Sequence, residues 1–168
     1  MKGRHPMTKT DQLTAVPAQA ATDYQKTLRV SAPAEALFEA LTTVAGLAGW
    51  WTRVTGSGEA GGVLEFFFDP PDPCVMHVDE ATRPTFVQWT VTACFLADWV
   101  GTRPTFTIAP IGEGECELHF RHHGLTSALE CIEDCTRGWD HFLVSLRQYA
   151  EVGRGMPVGS SGDQARRR

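Results

Sequence analysis

The sequence has 168 residues, of which 42% are hydrophobic, the size and composition of one domain with a single core. Its formal net charge of −5 conceals an acidic body, because residues 22–158 carry nine Lys and Arg against eighteen Asp and Glu. An acidic body disfavours nucleic acid, whose phosphates select clustered Lys and Arg, and no apolar run reaches the ~20 residues of a membrane helix. Nucleic-acid binding and membrane insertion are therefore excluded.

The chain is expected to begin with a flexible leader at residues 1–21, which lacks both apolar periodicity and a secretory h-region. A single domain at residues 22–157 follows, since no Gly/Ser linker divides it, and residues 158–168 are expected to form a flexible basic tail. The five cysteines are odd in number and include no CxxC pair, which indicates reduced thiols in the cytoplasm. No metal or cofactor is expected.

The first half of the domain contains two strand patterns and two helix patterns. Alternating side chains in Tyr24–Val30 predict the first strand. Apolar residues at helical spacing behind Ser31-Ala32-Pro33, and again in Val44–Ala48, predict two short helices. A glycine-rich turn at Gly56–Gly62 then precedes the second predicted strand. The residues predicted to share one face of that strand are Leu64, Phe66 and Phe68.

Four further strands follow the proline-rich segment Asp69–Pro73, which cannot continue a ladder and must turn. Their short connections predict an antiparallel meander. The predicted strands are Cys74–Ala81, Thr85–Ala93, Arg103–Pro110 and Glu115–His123.

The last predicted element is a long helix at Thr126–Val152, capped by Leu125-Thr126-Ser127 and ended by Gly153. Its length of about 40 Å is enough to cross a whole sheet. The fold class is therefore α+β. We expect a curved antiparallel sheet of six to seven strands wrapped around a long C-terminal helix, with two short helices after the first strand.

Six short motifs between Tyr24 and Pro157 resemble, in their order and spacing, the START-like SRPBCC superfamily. Within it they are most similar to homologues of the activator of heat shock protein 90 ATPase. The motifs are Val30-Ser31-Ala32-Pro33-Ala34, Leu41-Thr42, Trp50-Trp51, Gly61-Gly62-Val63-Leu64, Arg83-Pro84 before Val87-Gln88-Trp89, and Gly138-Trp139 followed by Gly153.

The resemblance implies a helix-grip fold with an internal cavity between the sheet and the long helix. The superfamily includes ligand carriers, polyketide aromatase/cyclases and chaperone activators. It has no universal set of catalytic residues, so the resemblance assigns no catalytic residue to this sequence.

Aromatic side chains are the main candidates for the wall of that cavity, with an ordinary filled core as the alternative. His122 shares the strand face of Leu118 and Phe120, and Asp98 lies in a loop near the expected mouth. The spacing of Cys116, His122, Cys131 and Cys135 permits a metal site, but buried thiols beside a hydrogen-bonded histidine are favoured. The candidate ligand-binding residues are Trp50, Trp51, Phe66, Phe68, Trp89, Asp98, Phe106, Phe120, His122, Trp139 and Phe142.

The first functional hypothesis is non-enzymatic binding of a small hydrophobic or amphipathic molecule in the cavity. An aromatase/cyclase-like enzyme that uses the same cavity is the first alternative. A module that binds a chaperone, another protein or a second copy of itself is the second. An apolar cavity favours the carrier, convergent polar groups favour the enzyme, and a filled core with an exposed apolar patch favours the partner module.

Overall fold

A curved, seven-stranded antiparallel sheet forms the body of the protein in the computed structural model, which describes residues 22–168. The predicted leader at residues 1–21 lies outside the described residues. The strands are β1 (Asp23–Val30), β2 (Val54–Gly56), β3 (Val63–Phe66), β4 (Cys74–Thr82), β5 (Phe86–Ala93), β6 (Arg103–Gly112) and β7 (Glu115–Thr126). Their spatial order is β1-β7-β6-β5-β4-β3-β2, so each strand from β2 to β7 lies beside its neighbour in sequence.

Four helices accompany the sheet: α1 (Ala34–Thr42), α2 (Val44–Trp50), α3 (Ile132–Val152) and α4 (Ser161–Arg167). The two short helices follow β1, and the long helix α3 buries its apolar stripe, including Trp139 and Leu143. This arrangement confirms the predicted α+β helix-grip fold. Within residues 22–168, no helix combines the length and the apolar character needed to cross a bilayer.

Side-chain alternation in β7 sets the inner face of the sheet. Leu118, Phe120 and His122 are fully buried, whereas His119 between them is exposed. Because successive strand residues point to opposite faces, His122 shares the face of Leu118 and Phe120 as predicted, and the structure shows this face to be the inner one. The same register pairs Phe120 with Phe106 of β6, so aromatic rings from neighbouring strands meet on this face.

The long helix starts at Ile132, six positions after the predicted Thr126, because β7 continues to Thr126. Gly124 adopts a left-handed φ of 95°, and its N–H donates to the Asp23 carboxylate, which also pairs with Arg121. These contacts extend the β1–β7 ladder past the predicted strand end. The predicted helix cap therefore lies in the strand and the turn that follows it.

Two further elements differ from the sequence-based expectation. Residues 54–56 form the edge strand β2, which pairs with β3 although no strand was predicted there and Gly56 was expected to begin a turn. The segment predicted to be a flexible tail contains α4, in which Asp163 is only 1% exposed. The Asp163 carboxylate accepts the Gly159 N–H and pairs with Arg166 and Arg167, so local charges of opposite sign order this segment.

Candidate functional site

The space between the sheet and α3 is filled by an aromatic cluster, defined as Trp51, Phe66, Trp89, Phe120 and Trp139. Ring centroids lie 5.0 Å apart for Trp51 and Trp139, and 4.4 Å apart for Phe120 and Trp139. Every member is at most 3% exposed. Among the described residues, Trp89 Nε1 is the buried side-chain donor without a hydrogen-bond partner, which fits its position among rings. Side chains thus occupy the region where an internal cavity was expected.

The end of α2 is fixed against α3 by Ser145, which is fully buried. Its hydroxyl donates to the Trp50 carbonyl over 2.7 Å and accepts the Met156 N–H. The Trp50 indole N–H donates to the Ala40 carbonyl, so its own ring is held against α1. Both contacts direct Trp51 into the centre of the aromatic cluster.

His122 is the polar group at one end of the aromatic cluster. Its Nδ1 accepts the indole N–H of Trp139 over 3.1 Å, so its Nε2 carries the proton and donates to Thr102 Oγ1 over 2.7 Å. The Thr102 hydroxyl in turn donates to the Trp99 carbonyl. Burial of the imidazole lowers the pKa of His122 to about 3, so it is neutral at physiological pH. His122 therefore holds Trp139 and the Trp99 segment together.

A small apolar cleft remains at the edge of the aromatic cluster, between α3 and the loops that follow β3 and β5. Its volume is about 130 Å³. Aromatic rings and thiols make up most of its lining, and we call it the apolar cleft. The lining residues are Trp51, Phe68, Cys74, Cys94, Phe95, Leu96, Trp99, Cys135, Gly138, Trp139 and Phe142.

The predicted site residues are divided between this cleft and the core. Trp51, Phe68, Trp139 and Phe142 line the apolar cleft. Asp98 is exposed in a single 3₁₀ turn and does not line the cleft. The remaining candidates are fully buried in the core, and they are Trp50, Phe66, Trp89, Phe106, Phe120 and His122.

Sequence reasoning missed several residues of the apolar cleft. Trp99 lies in the loop between β5 and β6, and no periodicity marks its inward direction. It stacks on Trp139 with an interplanar angle of 6°. Gly138 has no side chain and therefore leaves space in the wall of the cleft. A search for patterns of apolar residues does not detect such a position. The spacing of the cysteines indicated neither a redox motif nor a favoured metal site, and it did not predict that three of them line the cleft.

Two of the four groups predicted as possible metal ligands, Cys135 and His122, make other contacts. Cys135 Sγ accepts the Trp99 indole N–H over 3.2 Å, and burial raises the pKa of this thiol to about 12. His122 is bound on both nitrogens by Trp139 and Thr102. In the part of the chain that the structure describes, no three His, Cys, Asp or Glu side chains converge in a way that could hold a metal ion.

A larger depression of about 520 Å³ lies elsewhere, between α1, the turn at residues 58–60 and the end of β4. Its wall mixes Thr42, Glu59 and Arg83 with the ring of Phe38. Arg83 is engaged by Glu35 and Glu39 of α1. Since its main cation is already neutralised and none of the predicted site residues line it, this depression is a weaker candidate for a binding site.

Comparison with known proteins gives one family match. A sequence model of the family described as "Activator of Hsp90 ATPase homolog 1-like protein" matches residues 31–151. A search of curated proteins found no match.

Three solved structures illustrate the structural similarity. The Aha1 dimer from Colwellia psychrerythraea is 26% identical, with a TM-score of 0.70 over 79% of this chain and 98% of that one. A Bacillus halodurans protein is also 26% identical, with a TM-score of 0.62 over 77% and 96% of the two chains. An HSP90 activator from Plasmodium falciparum is 20% identical, with a TM-score of 0.60 over 76% and 94%, which supports the fold alone.

Proposed function

The chain belongs to the family of activator of Hsp90 ATPase homologue 1-like proteins, and on that basis we propose that it binds a small apolar group in the apolar cleft. Cavities of about 150 Å³ lined by apolar side chains can hold one benzene ring, whereas sites for larger ligands run from roughly 300 Å³. A cleft of about 130 Å³ therefore suits one ring or the end of a hydrocarbon chain. The rest of the ligand would extend into solvent.

The chemistry of the wall favours binding over catalysis. No Asp, Glu, Lys, Arg or His is among the residues that line the apolar cleft. An aromatase/cyclase-like enzyme would need polar groups that convert a bound carbon chain, whereas burial of apolar surface alone contributes roughly 25 cal/mol per Å² to binding. The observation that carries the proposal is this apolar, ring-lined opening. The filled core beside it is the feature that supports the second candidate function described below. We place the activity in the cytoplasm, since all five cysteines are free thiols.

Filling the apolar cleft from Gly138 tests the proposal. Space is open where a Cβ would stand on Gly138, which lies inside α3 and lines the cleft. The parent is expected to bind the neutral fluorophore N-phenyl-1-naphthylamine saturably at one site per chain, with tryptophan emission changing in step. Gly138→Leu should weaken this binding by roughly tenfold or more, since it occupies the same volume. Fluorescence titration measures both effects.

Gly138→Ala is the matched control because it adds only one methyl group. It should keep probe binding within about twofold and raise the free energy of unfolding by about 0.5–1 kcal/mol, as expected for alanine in a helix interior. Probe binding without saturation in the parent, or equal binding by the parent and Gly138→Leu, would exclude the apolar cleft as the site.

Binding of a second copy or another protein is a second candidate function. The Colwellia relative is a dimer, and it is 26% identical to this chain. Beside the apolar cleft, Phe95 is 42% exposed and Val100 is 49% exposed, so the loop between β5 and β6 offers an apolar contact. Sedimentation equilibrium of the parent and of Phe95→Ser/Val100→Ser tests this candidate. A dimer that the double substitution dissociates would favour it, and a monomeric parent would exclude self-association.

A further inference from the structure

Two cysteines face each other across neighbouring strands at the rim of the apolar cleft. Cys74 is the first residue of β4, and Cys94 directly follows β5. Val75 pairs with Ala93, and extending this antiparallel register by one residue places Cys74 opposite Cys94. Directly opposed residues in antiparallel strands have Cα atoms about 4.5–5.5 Å apart, within the range of about 4.4–6.8 Å that a disulfide spans. Both line the cleft, so the two thiols share one small apolar space.

The two thiols have different environments. Cys94 is half-buried, and the neighbouring Cys74 thiol together with the backbone N–H groups of Leu96 and Phe95 lowers the pKa of Cys94 to about 7. Cys74 is fully buried, and the neighbouring Cys94 sulfur together with burial raises the pKa of Cys74. Cys94 is therefore the accessible thiolate near neutral pH, and Cys74 is a protonated thiol in contact with it.

We propose that Cys94 and Cys74 form a nucleophile and resolving pair that reduces an organic hydroperoxide whose apolar part occupies the apolar cleft. A reactive thiol beside a second thiol is the arrangement typical of peroxide-sensing cysteines. The choice of an organic hydroperoxide rests on the proposed function, because only an apolar group gains from rings such as Phe68 and Phe142 in the wall.

The reaction balances with the hydroperoxide as the sole oxidant. The Cys94 thiolate attacks the terminal oxygen of ROOH, the S–O bond forms and the O–O bond breaks. The alkoxide leaves and takes a proton from water, which gives ROH and hydroxide. The resulting sulfenic acid on Cys94 is then attacked by the Cys74 sulfur. The S–S bond forms, the S–O bond breaks, and hydroxide departs as water with the Cys74 proton. Each cysteine sulfur gives up one electron, and the peroxide is reduced by two.

The other cysteines are arranged differently. The Cys131 and Cys135 thiols also interact, and burial together with this interaction raises the pKa of Cys135 to about 12. Cys131 immediately precedes α3 and Cys135 lies in its first turn, so the stacked backbone keeps their Cβ atoms about 5–6 Å apart, too far for an unstrained disulfide. Cys116 is buried in β7 opposite Val30 and Pro110, which carry no thiol. Among the described cysteines, Cys74 and Cys94 are thus the pair whose strand register is compatible with a disulfide.

The experiment exposes the fully reduced protein to equal concentrations of cumene hydroperoxide or hydrogen peroxide. Intact mass spectrometry should show loss of two hydrogen atoms, and peptide mapping should place the disulfide between Cys74 and Cys94. Cys74→Ser should stop at a Cys94 sulfenic acid that dimedone traps, and Cys94→Ser should form no disulfide. Cys131→Ser is the matched control and should react like the parent. Cumene hydroperoxide should react roughly tenfold faster than hydrogen peroxide.

Failure of the thiol pair and failure of the apolar cleft give different results. No disulfide with either oxidant, or a disulfide that maps to other cysteines, overturns the pair, whatever the fluorophore binding shows. A Cys74–Cys94 disulfide that forms equally fast with both oxidants, in the parent and in Gly138→Leu, overturns the role of the cleft in selecting the peroxide. A preference for cumene hydroperoxide that Gly138→Leu removes supports both parts.

Discussion

Trp139→Ala is expected to lower the free energy of unfolding by about 3–5 kcal/mol, because it removes a large ring from the centre of the core. Trp139 is 2% exposed and contacts the rings of Trp51 and Phe120. Its indole N–H also satisfies His122 Nδ1, which the truncation would leave buried without a donor. Urea denaturation followed by circular dichroism measures the change.

Two further variants separate packing from hydrogen bonding. Trp139→Phe keeps an aromatic ring but removes the donor to His122, so a smaller loss of about 1–3 kcal/mol is expected. Phe95→Ala removes a ring that is 42% exposed and should cost less than about 1 kcal/mol. A denaturation midpoint of Trp139→Ala equal to that of the parent would contradict the packing of α3 on the sheet.

Acidification is expected to destabilise the protein through His122. The free energy of unfolding should fall by about 1.4 kcal/mol for each pH unit. The His122 pKa falls from an ordinary value of 6.5 to about 3 in the folded state, because burial disfavours the imidazolium. The unfolded chain therefore binds one more proton than the folded chain between these values. The stabilisation is fully present above pH 6.5 and is lost progressively as the pH falls towards 3. Urea denaturation between pH 7 and 4.5 measures it.

Between pH 6.5 and 4.5, the pH dependence of the free energy of unfolding reports on the histidines. Asp79 and Asp163 have pKa values below their ordinary 3.8, so their protonation changes the free energy of unfolding only at lower pH. Burial also lowers the pKa of His123, which acts in the same direction as His122. His122→Gln should therefore flatten the slope of the free energy of unfolding against pH by about 1 kcal/mol per pH unit. A parent slope that His122→Gln does not alter would contradict the neutral, buried imidazole.

The parts of the fold with strong periodicity could be predicted from the sequence. Alternation in β7 correctly placed Leu118, Phe120 and His122 on one face, which the structure buries, and the apolar stripe of α3 correctly indicated a helix that covers the sheet. Period-2 and period-3.6 patterns report burial directly, because the buried face of each element is mostly apolar. The family resemblance, which rests on the six motifs between Tyr24 and Pro157, is also confirmed.

The filled state of the core and the shape of the cleft could not be predicted in this way. The same aromatic residues would line an open cavity or close it, depending on the side-chain rotamers and on ångström-scale positions of α3. Trp99 contributes to the closure from an irregular loop, where sequence carries no periodicity. The predicted start of α3 was wrong for a related reason. The Asp23 contacts that extend β7 join residues far apart in sequence, so local patterns do not indicate them.

The position of β1 in the sheet has a consequence for how the protein folds. β2 to β7 pair with sequence neighbours through short connections, so these hairpins can form from local encounters. β1 instead pairs with β7, and Thr27 contacts His119, 92 positions later in the chain. Closing so long a loop costs conformational entropy before the stabilising contacts between the two strands form, which slows folding. During synthesis on a ribosome, β1 therefore cannot pair until its partner β7, the last strand of the sheet, has been made.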